Sequence, residues 1–321
     1  MKKQRDMKKY LLIAVGAATL VFMFALASGI GAAIKGNVPA KEMDYAPEKS
    51  FAVINIAGTI QEAPVSPLDN YSYNHSNLTE YVDMLMEDET NHGILLRVNS
   101  GGGTVFHSDE MYLKLMEYKE KTGRPIHAYF EQTAASGAYY ISCAADHISA
   151  NRNCWTGSIG VILSYTSMAG LYDKLGLEEI IIATGDNKGM GSSGTELTDE
   201  QRAIYQSLVD ESYEVFTDIV AKARNMDIET VKKLADGRVY TAKQALENGL
   251  IDGVGTWENA VAQMQELTGA QPYEKIFDVQ ATLLDYILYG MADVMPKSDV
   301  QALNDMASSQ LAGVPLYLYR Q

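Results

Sequence analysis

The sequence predicts an α/β domain with a mostly parallel sheet, an N-terminal transmembrane helix before it and a helical C-terminal part. Three observations carry that prediction. Short apolar, β-rich runs alternate with helical patterns between Ser50 and Ala183. Glycine-rich or small-residue clusters sit where strands pass into helices, and the chain after Thr198 is dominated by amphipathic helical periodicity.

Residues 51–56 (FAVINI), 94–98 (ILLRV), 126–130 (IHAYF), 159–163 (IGVIL) and 179–183 (EIIIA) read as strands, being apolar and β-branched. Residues 78–89, 109–121, 136–145 and 168–175 between them read as helices, an alternation that right-handed crossovers turn into a parallel sheet. Thr198, with Glu200 and Gln201 behind it, opens a long helix to Arg224. Helices at 228–235, 242–248 and 257–268 follow, and Asn248-Gly249 is a helix stop leading into LIDGVG.

Residues 11–34 (LLIAVGAATLVFMFALASGIGAAI) contain no charge. As a helix they reach about 36 Å, against a hydrocarbon core of roughly 30 Å. The basic run MKKQRDMKK precedes them, which orients residues 1–10 to the cytoplasm and everything after 34 to the other side. The competing reading is a cleaved secretory signal with an A-x-A-like site at Ala25-Leu26-Ala27; the apolar run continues past it to Ile34, which favours a retained anchor. Residues 35–49 read as a linker, 50–269 as the catalytic-size domain, and 270–321 as a C-terminal extension with helical patterns at 279–294 and 300–311 and the tail PLYLYRQ.

With 41 acidic against 26 basic side chains, the net charge of −15 argues against nucleic acid, whose binding rests on phosphate neutralisation. Cys143 and Cys154 fit no zinc or redox spacing and read as buried free thiols.

Asn99-Ser100-Gly101-Gly102-Gly103 follows a predicted strand. It lacks the Gly-Lys-Ser/Thr of a P-loop and the G-x-G-x-x-G of a dinucleotide site, leaving an oxyanion-binding backbone or a plain structural turn. In TAASGAYY, Ser136 stands between strand and helix, as an N-cap or as a nucleophile. A serine needs a base. None of His75, His92, His107, His127 and His147 carries a local triad signature, whereas Lys188 follows an apolar run within the small-residue segment ATGDNKGMGSSG. Desolvation would make it a base; the alternative is a solvated loop lysine.

Together, NSGGG, TAASGAYYISCAAD, WTGSIGVI, the lysine of DNKG and ADGRVYTAKQALENGLID resemble the signal peptide peptidase SppA family of Ser–Lys proteases across about residues 51–267. The resemblance implies a crotonase/Clp-protease-like fold, Ser136 as nucleophile, Lys188 as general base, Ser158 as the serine orienting it, and Gly102 with its neighbour Gly103 at the oxyanion hole. It implies no cofactor, and a homo-oligomer at the membrane that hydrolyses hydrophobic peptides such as cleaved signal peptides. Two departures bear on loop rigidity and substrate range: Gly101 stands where the family has proline, and Ser193 and Thr195 stand where it often has proline and arginine. A crotonase-like acyl-CoA enzyme and a non-catalytic membrane scaffold are the rival readings. The extracytoplasmic location argues against the first, and the joint presence of Ser136, Lys188 and Ser158 against the second. Strand addition of the tail along an active-site groove, or its packing on an apolar surface, are the two expectations for PLYLYRQ.

Overall fold

A computed structural model describes residues 47–62, 73–275 and 316–318, all within one compact unit. The expected membrane span, most of the linker and the two helices of the extension lie outside these residues. Among the described residues no helix is long and apolar enough to cross a membrane.

The sheet is mostly parallel, as expected. Its main path begins with β1 (Ser50–Ile60), β2 (Asn91–Thr104) and β3 (Ile126–Ala135), which pair in parallel side by side. β3 shares its far edge between two parallel partners, β4 (His147–Ala150) along its first half and β5 (Trp155–Gly157) along its second. β6 (Val239–Thr241) closes that end antiparallel to β5, and β7 (Gly253–Val254) extends β4. β8 (Gln271–Glu274) joins the outer edge of β1, so the sheet takes a strand from the segment that the sequence reading set aside as an extension.

Helices cover both faces. α1 (His75–Glu87), α2 (Val105–Thr122) and α3 (Gly137–Ser142) bury Leu78, Val82, Met111, Leu115 and Tyr139 against Ile54, Ile56, Leu96 and Val98. α4 (Ala169–Leu175) buries no residue. α5 (Asp199–Arg224) starts at Thr198 in a capping box with Gln201, as the sequence indicates, yet buries only Phe216, Thr217, Ile219 and Val220. α6 (Ile228–Leu234) and α7 (Ala242–Glu247) complete that layer, and α8 (Trp257–Thr268) packs Ala260 and Met264 on Phe51, Val53, Leu95 and Tyr129 of the opposite face.

Two strand expectations fail. In place of a strand at 159–163, the pairing falls at Trp155–Gly157 and ends where Gly157 and Ser158 take positive φ. Residues 179–183 form no strand; Ile180 is 75% and Ile182 97% exposed. The run is β-branched enough to read as a strand, but it joins no strand of the sheet.

Candidate active site

The turn after β3 is built around Ser136. Its φ of 55° and ψ of −118° lie where a residue with a Cβ is strained, at a cost on the order of 1–3 kcal/mol. The strain is held from both sides. The Ser136 N–H donates to the Gly157 carbonyl at 2.8 Å, and the Tyr140 N–H donates to the Ser136 carbonyl at 2.9 Å, starting α3. Ser136 occupies the N-cap position, but its hydroxyl makes no capping bond. The side chain is therefore not engaged in the role that the N-cap alternative assigned to it.

The glycine run is strand rather than turn. β2 continues through Thr104, with Gly102 opposite Thr59 and Gly103 opposite Ile60. Tertiary pairing overrides the low strand preference of glycine because no side chain fits here. A Cβ on Gly103 would overlap the Ile60 carbonyl, and one on Gly102, whose φ is +101°, would overlap the Tyr317 carbonyl and stand 2.7 Å from Gly137 N. The Gly102 N–H already donates to Ser100 Oγ at 3.0 Å, and that hydroxyl in turn donates to the Gly58 carbonyl at 2.5 Å. Gly137, the residue after Ser136, lies close to this strand, a Cβ on it falling 3.2 Å from Gly103 N. Sequence reasoning named Gly102 and Gly103 but not Gly137; the signal for it is its place as the first residue of a helix, whose N–H has no partner inside the helix.

β3 parts from β2 after the pair Ser100–Ala134, which leaves the edge of β2 open beyond that point. Leu316–Leu318 (β9) fills it antiparallel, setting Tyr317 opposite Gly103. Tyr317 is wholly buried. Its ring stacks on Tyr140 at 4.9 Å and 24°, lies 4.7 Å from Phe216, and its hydroxyl donates to the Ser212 carbonyl at 3.0 Å. Of the two expectations for the tail, strand addition is the observed one, with burial of an aromatic side chain as part of it. Tyr140 is fixed in turn by donating to Asp109 Oδ1 at 2.5 Å. Burial, ahead of the neighbouring Asp109 carboxylate, pushes the Tyr140 and Tyr317 phenols up, so both remain donors.

Ser158 follows Gly157, the partner of Ala135, so it leaves its strand beside Ser136 and is buried, with φ 48°. Lys188 is not brought there. It is exposed, on a stretch without regular structure between α4 and α5, and no hydrogen bond joins it to Ser136 among the described residues. The histidines have other partners: His75 bonds Tyr73 and Glu110, His107 bonds Thr104, and His92 bonds the Thr90 carbonyl. His127 and His147 face one another at 5.2 Å. Cys143 and Cys154 are free and buried, and burial pushes each thiol up to about 12, which makes them poor nucleophiles.

A strained serine with an uncommitted hydroxyl, at a helix start and close to a sheet edge that accepts a peptide strand, suits acyl transfer from a peptide carbonyl. That defines a class, the serine-type peptidases. The comparisons agree: residues 118–271 match peptidase family S49. The chain is 38% identical over 242 residues to an Enterococcus faecium protein assigned by name to signal peptide peptidase SppA, covering 75% of this chain and 68% of that one. It is 37% identical over 244 residues to a Synechocystis protein assigned by name to the proteases, covering 73% and 87%. It is 31% identical over 219 residues to the chloroplastic serine protease SPPA of Arabidopsis thaliana, covering 67% and 32%. The chain belongs to the signal peptide peptidase SppA family and is a serine-type peptidase.

Proposed function

We propose that the chain is a membrane-anchored serine endopeptidase that hydrolyses hydrophobic peptides, such as signal peptides left in the membrane, through a Ser136–Lys188 dyad closed between copies. The observation that carries this reading is the added strand: a peptide segment lies along β2 with its Tyr317 carbonyl against Gly102 and near Gly137 N, beside Ser136. A substrate strand in the same register brings a carbonyl to the serine.

Lys188 takes the Ser136 proton as Oγ bonds to the carbonyl carbon, and the N–H groups of Gly103 and Gly137 receive the oxyanion, with Gly102 shaping the site as a residue without a side chain. Collapse breaks the C–N bond, and the leaving amine takes the proton from Lys188. Water then attacks the ester, giving its proton back through Lys188 and freeing Ser136. Ser158 orients the amine.

An ammonium in water is no base near neutrality, so the lysine must be desolvated. What supports a neighbouring copy as the means is the apolar surface near it: Leu175, Leu177, Ile180, Ile181 and Ile182 are exposed in one chain, as are Leu208 and Val215 on α5. Burying that segment against a second chain would carry Lys188 into the partner's pocket. The apolar run 11–34 supports anchoring, with the catalytic domain outside the cytoplasm.

Peptide hydrolysis by the full chain tests the reading. Ser136→Ala and Lys188→Ala should each lose several orders of magnitude in rate, and Ser158→Ala about 10- to 1000-fold, the range for supporting groups. Activity should rise with pH to an alkaline plateau as the lysine loses its proton. Wild-type turnover by Lys188→Ala, or an optimum near pH 5, would reject the dyad.

A further inference from the structure

We propose that Tyr240 is a positioning residue for the reaction: its ring, set in the place of a Gly157 side chain and tied at its hydroxyl, fixes the one peptide group on which both Ser136 and Ser158 depend. The proposal rests on reading these two as nucleophile and orienting serine, and it goes further by naming what holds them in place.

Among the described residues three non-glycine residues have a positive φ. One of them, Asn225, closes a helix, where that conformation is common. The other two are Ser136 and Ser158, at 55° and 48°, and strain of this kind persists only where the surroundings enforce it. The enforcing unit is the peptide group between Gly157 and Ser158. Its carbonyl accepts the Ser136 N–H at 2.8 Å, and its N–H donates to the Arg238 carbonyl at 2.7 Å. A peptide group is planar, so its two ends turn together, and the position of Arg238 is passed to Ser136 through one rigid plate. The Ser158 Cα lies on the same plate, so that side chain turns with it.

β6 holds the plate from the far side. Gly157 lies opposite Val239 and Thr156 opposite Tyr240, and the Gly237 N–H donates to the Ile159 carbonyl at 3.1 Å. Thr156 carries the tie on to β3 by donating its hydroxyl to the Ala134 carbonyl at 2.6 Å. Backbone pairing still leaves Gly157, at φ +82°, the conformational latitude of a glycine. Tyr240 removes it. A Cβ on Gly157 would stand 2.6 Å from Tyr240 Cδ2 and 3.2 Å from Cε2, so the ring fills the space over this residue. The ring is buried, and its hydroxyl donates to the Leu234 carbonyl at 2.8 Å, at the end of α6. Rotation of the Gly157–Ser158 plate would have to displace a side chain held at both ends. β6 pairs with β5 and not with β2, so loss of the ring loosens the two serines and leaves the peptide-pairing edge in place.

The test is steady-state hydrolysis of an apolar peptide by the full chain and its variants, with kcat referred to folded chain from the melting profile. Tyr240→Phe keeps the ring and loses the tie to Leu234; it should lower kcat about 3- to 10-fold, the scale of one neutral hydrogen bond. Tyr240→Leu also vacates part of the space over Gly157 and should lower kcat about 10- to 100-fold, the cost of a small misplacement in a site. KM should stay within about twofold in both, because peptide pairing is untouched. A tyrosine with a structural role alone would lower the melting temperature and leave the kcat of folded chain as it is, and that result overturns the proposal. So does a KM that rises as kcat falls. If Tyr240→Leu does not fold, Tyr240→Phe decides, and a wild-type kcat there is refutation. Ser136→Ala separates this from the catalytic reading. Wild-type turnover by that variant removes the nucleophile and the proposal with it; an inactive Ser136→Ala beside fully active Tyr240 variants refutes the positioning role alone.

Discussion

A dyad closed between copies makes a prediction that a dyad within one chain does not. Full-length Ser136→Ala chains retain Lys188, and Lys188→Ala chains retain Ser136. Each alone lacks one member at every site and should fall below about a thousandth of wild-type turnover. In a closed head-to-tail ring each serine pocket meets one neighbour's lysine, so a mixed pocket works only when a Lys188→Ala chain is followed by a Ser136→Ala chain. With x the fraction of one variant, competent pockets occur as x(1 − x), which at equal mixing gives about a quarter of wild-type activity whatever the subunit number. The assay is peptide hydrolysis against mixing ratio, after co-assembly verified by mass. The expected curve is a bell peaking at equal amounts, more than about 100-fold above either parent. A flat line at the parental level in demonstrably mixed assemblies would refute the intermolecular dyad and require Lys188 to fold back onto its own Ser136.

Gly102→Ala should retain the fold with a lower melting temperature, because φ +101° strains an alanine, and should lose at least about 100-fold in hydrolysis, because its methyl group stands where the bound carbonyl lies. Near-wild-type hydrolysis would show that the carbonyl seat is elsewhere. Truncation after Ala312 should raise peptidase activity about tenfold if the tethered tail stands at roughly ten times its dissociation constant; lower stability without any gain would assign the tail to packing alone. His127 is held below the ordinary histidine range by burial and then by His147, despite Asp146 and Asp252. Its neutral form is thus the folded one, so its contribution is complete above the unfolded value of about 6.5 and is lost as pH falls through the lower folded value. Melting temperature should drop from pH 7 to pH 5, and His127→Leu should flatten that slope; an unchanged slope would place the acid sensitivity elsewhere.

What was legible in the sequence was whatever is encoded locally. The start of α5 at Thr198 and the span of α8 follow from capping and period, and both are found as read. Ser136 was singled out by its small neighbours, and the structure gives the reason: a strand-to-helix turn at φ 55° tolerates little bulk around it. Long-range pairing was illegible. The glycines of 101–103 speak against strand, yet β1 on one side and β9 on the other pair with Gly102 and Gly103. β9 itself comes from more than two hundred residues away and has no periodicity to announce it. Residues 179–183 mislead in the opposite direction, because their β-branched pattern reports strand preference while the run pairs with no strand and stays exposed.

One geometric event produces both halves of the site. β3 follows β2 only as far as Ser100 opposite Ala134, while its other edge stays paired with β5 through Ala135. Its departure exposes the β2 edge at 102–104, which an extended peptide can pair with, and the same departure swings Ser136 and Gly137 over that edge. In the proposed mechanism peptide pairing and attack geometry are therefore coupled: a segment that does not pair with Gly103 does not present its carbonyl to Ser136. The tail holds the same edge. Because β9 occupies the edge, an incoming peptide must replace both the strand pairing and the burial of Tyr317. Backbone pairing is common to every extended peptide and cancels in that exchange, so the burial of Tyr317 against Tyr140 and Phe216 is the part of the tail's hold that an incoming peptide must offset.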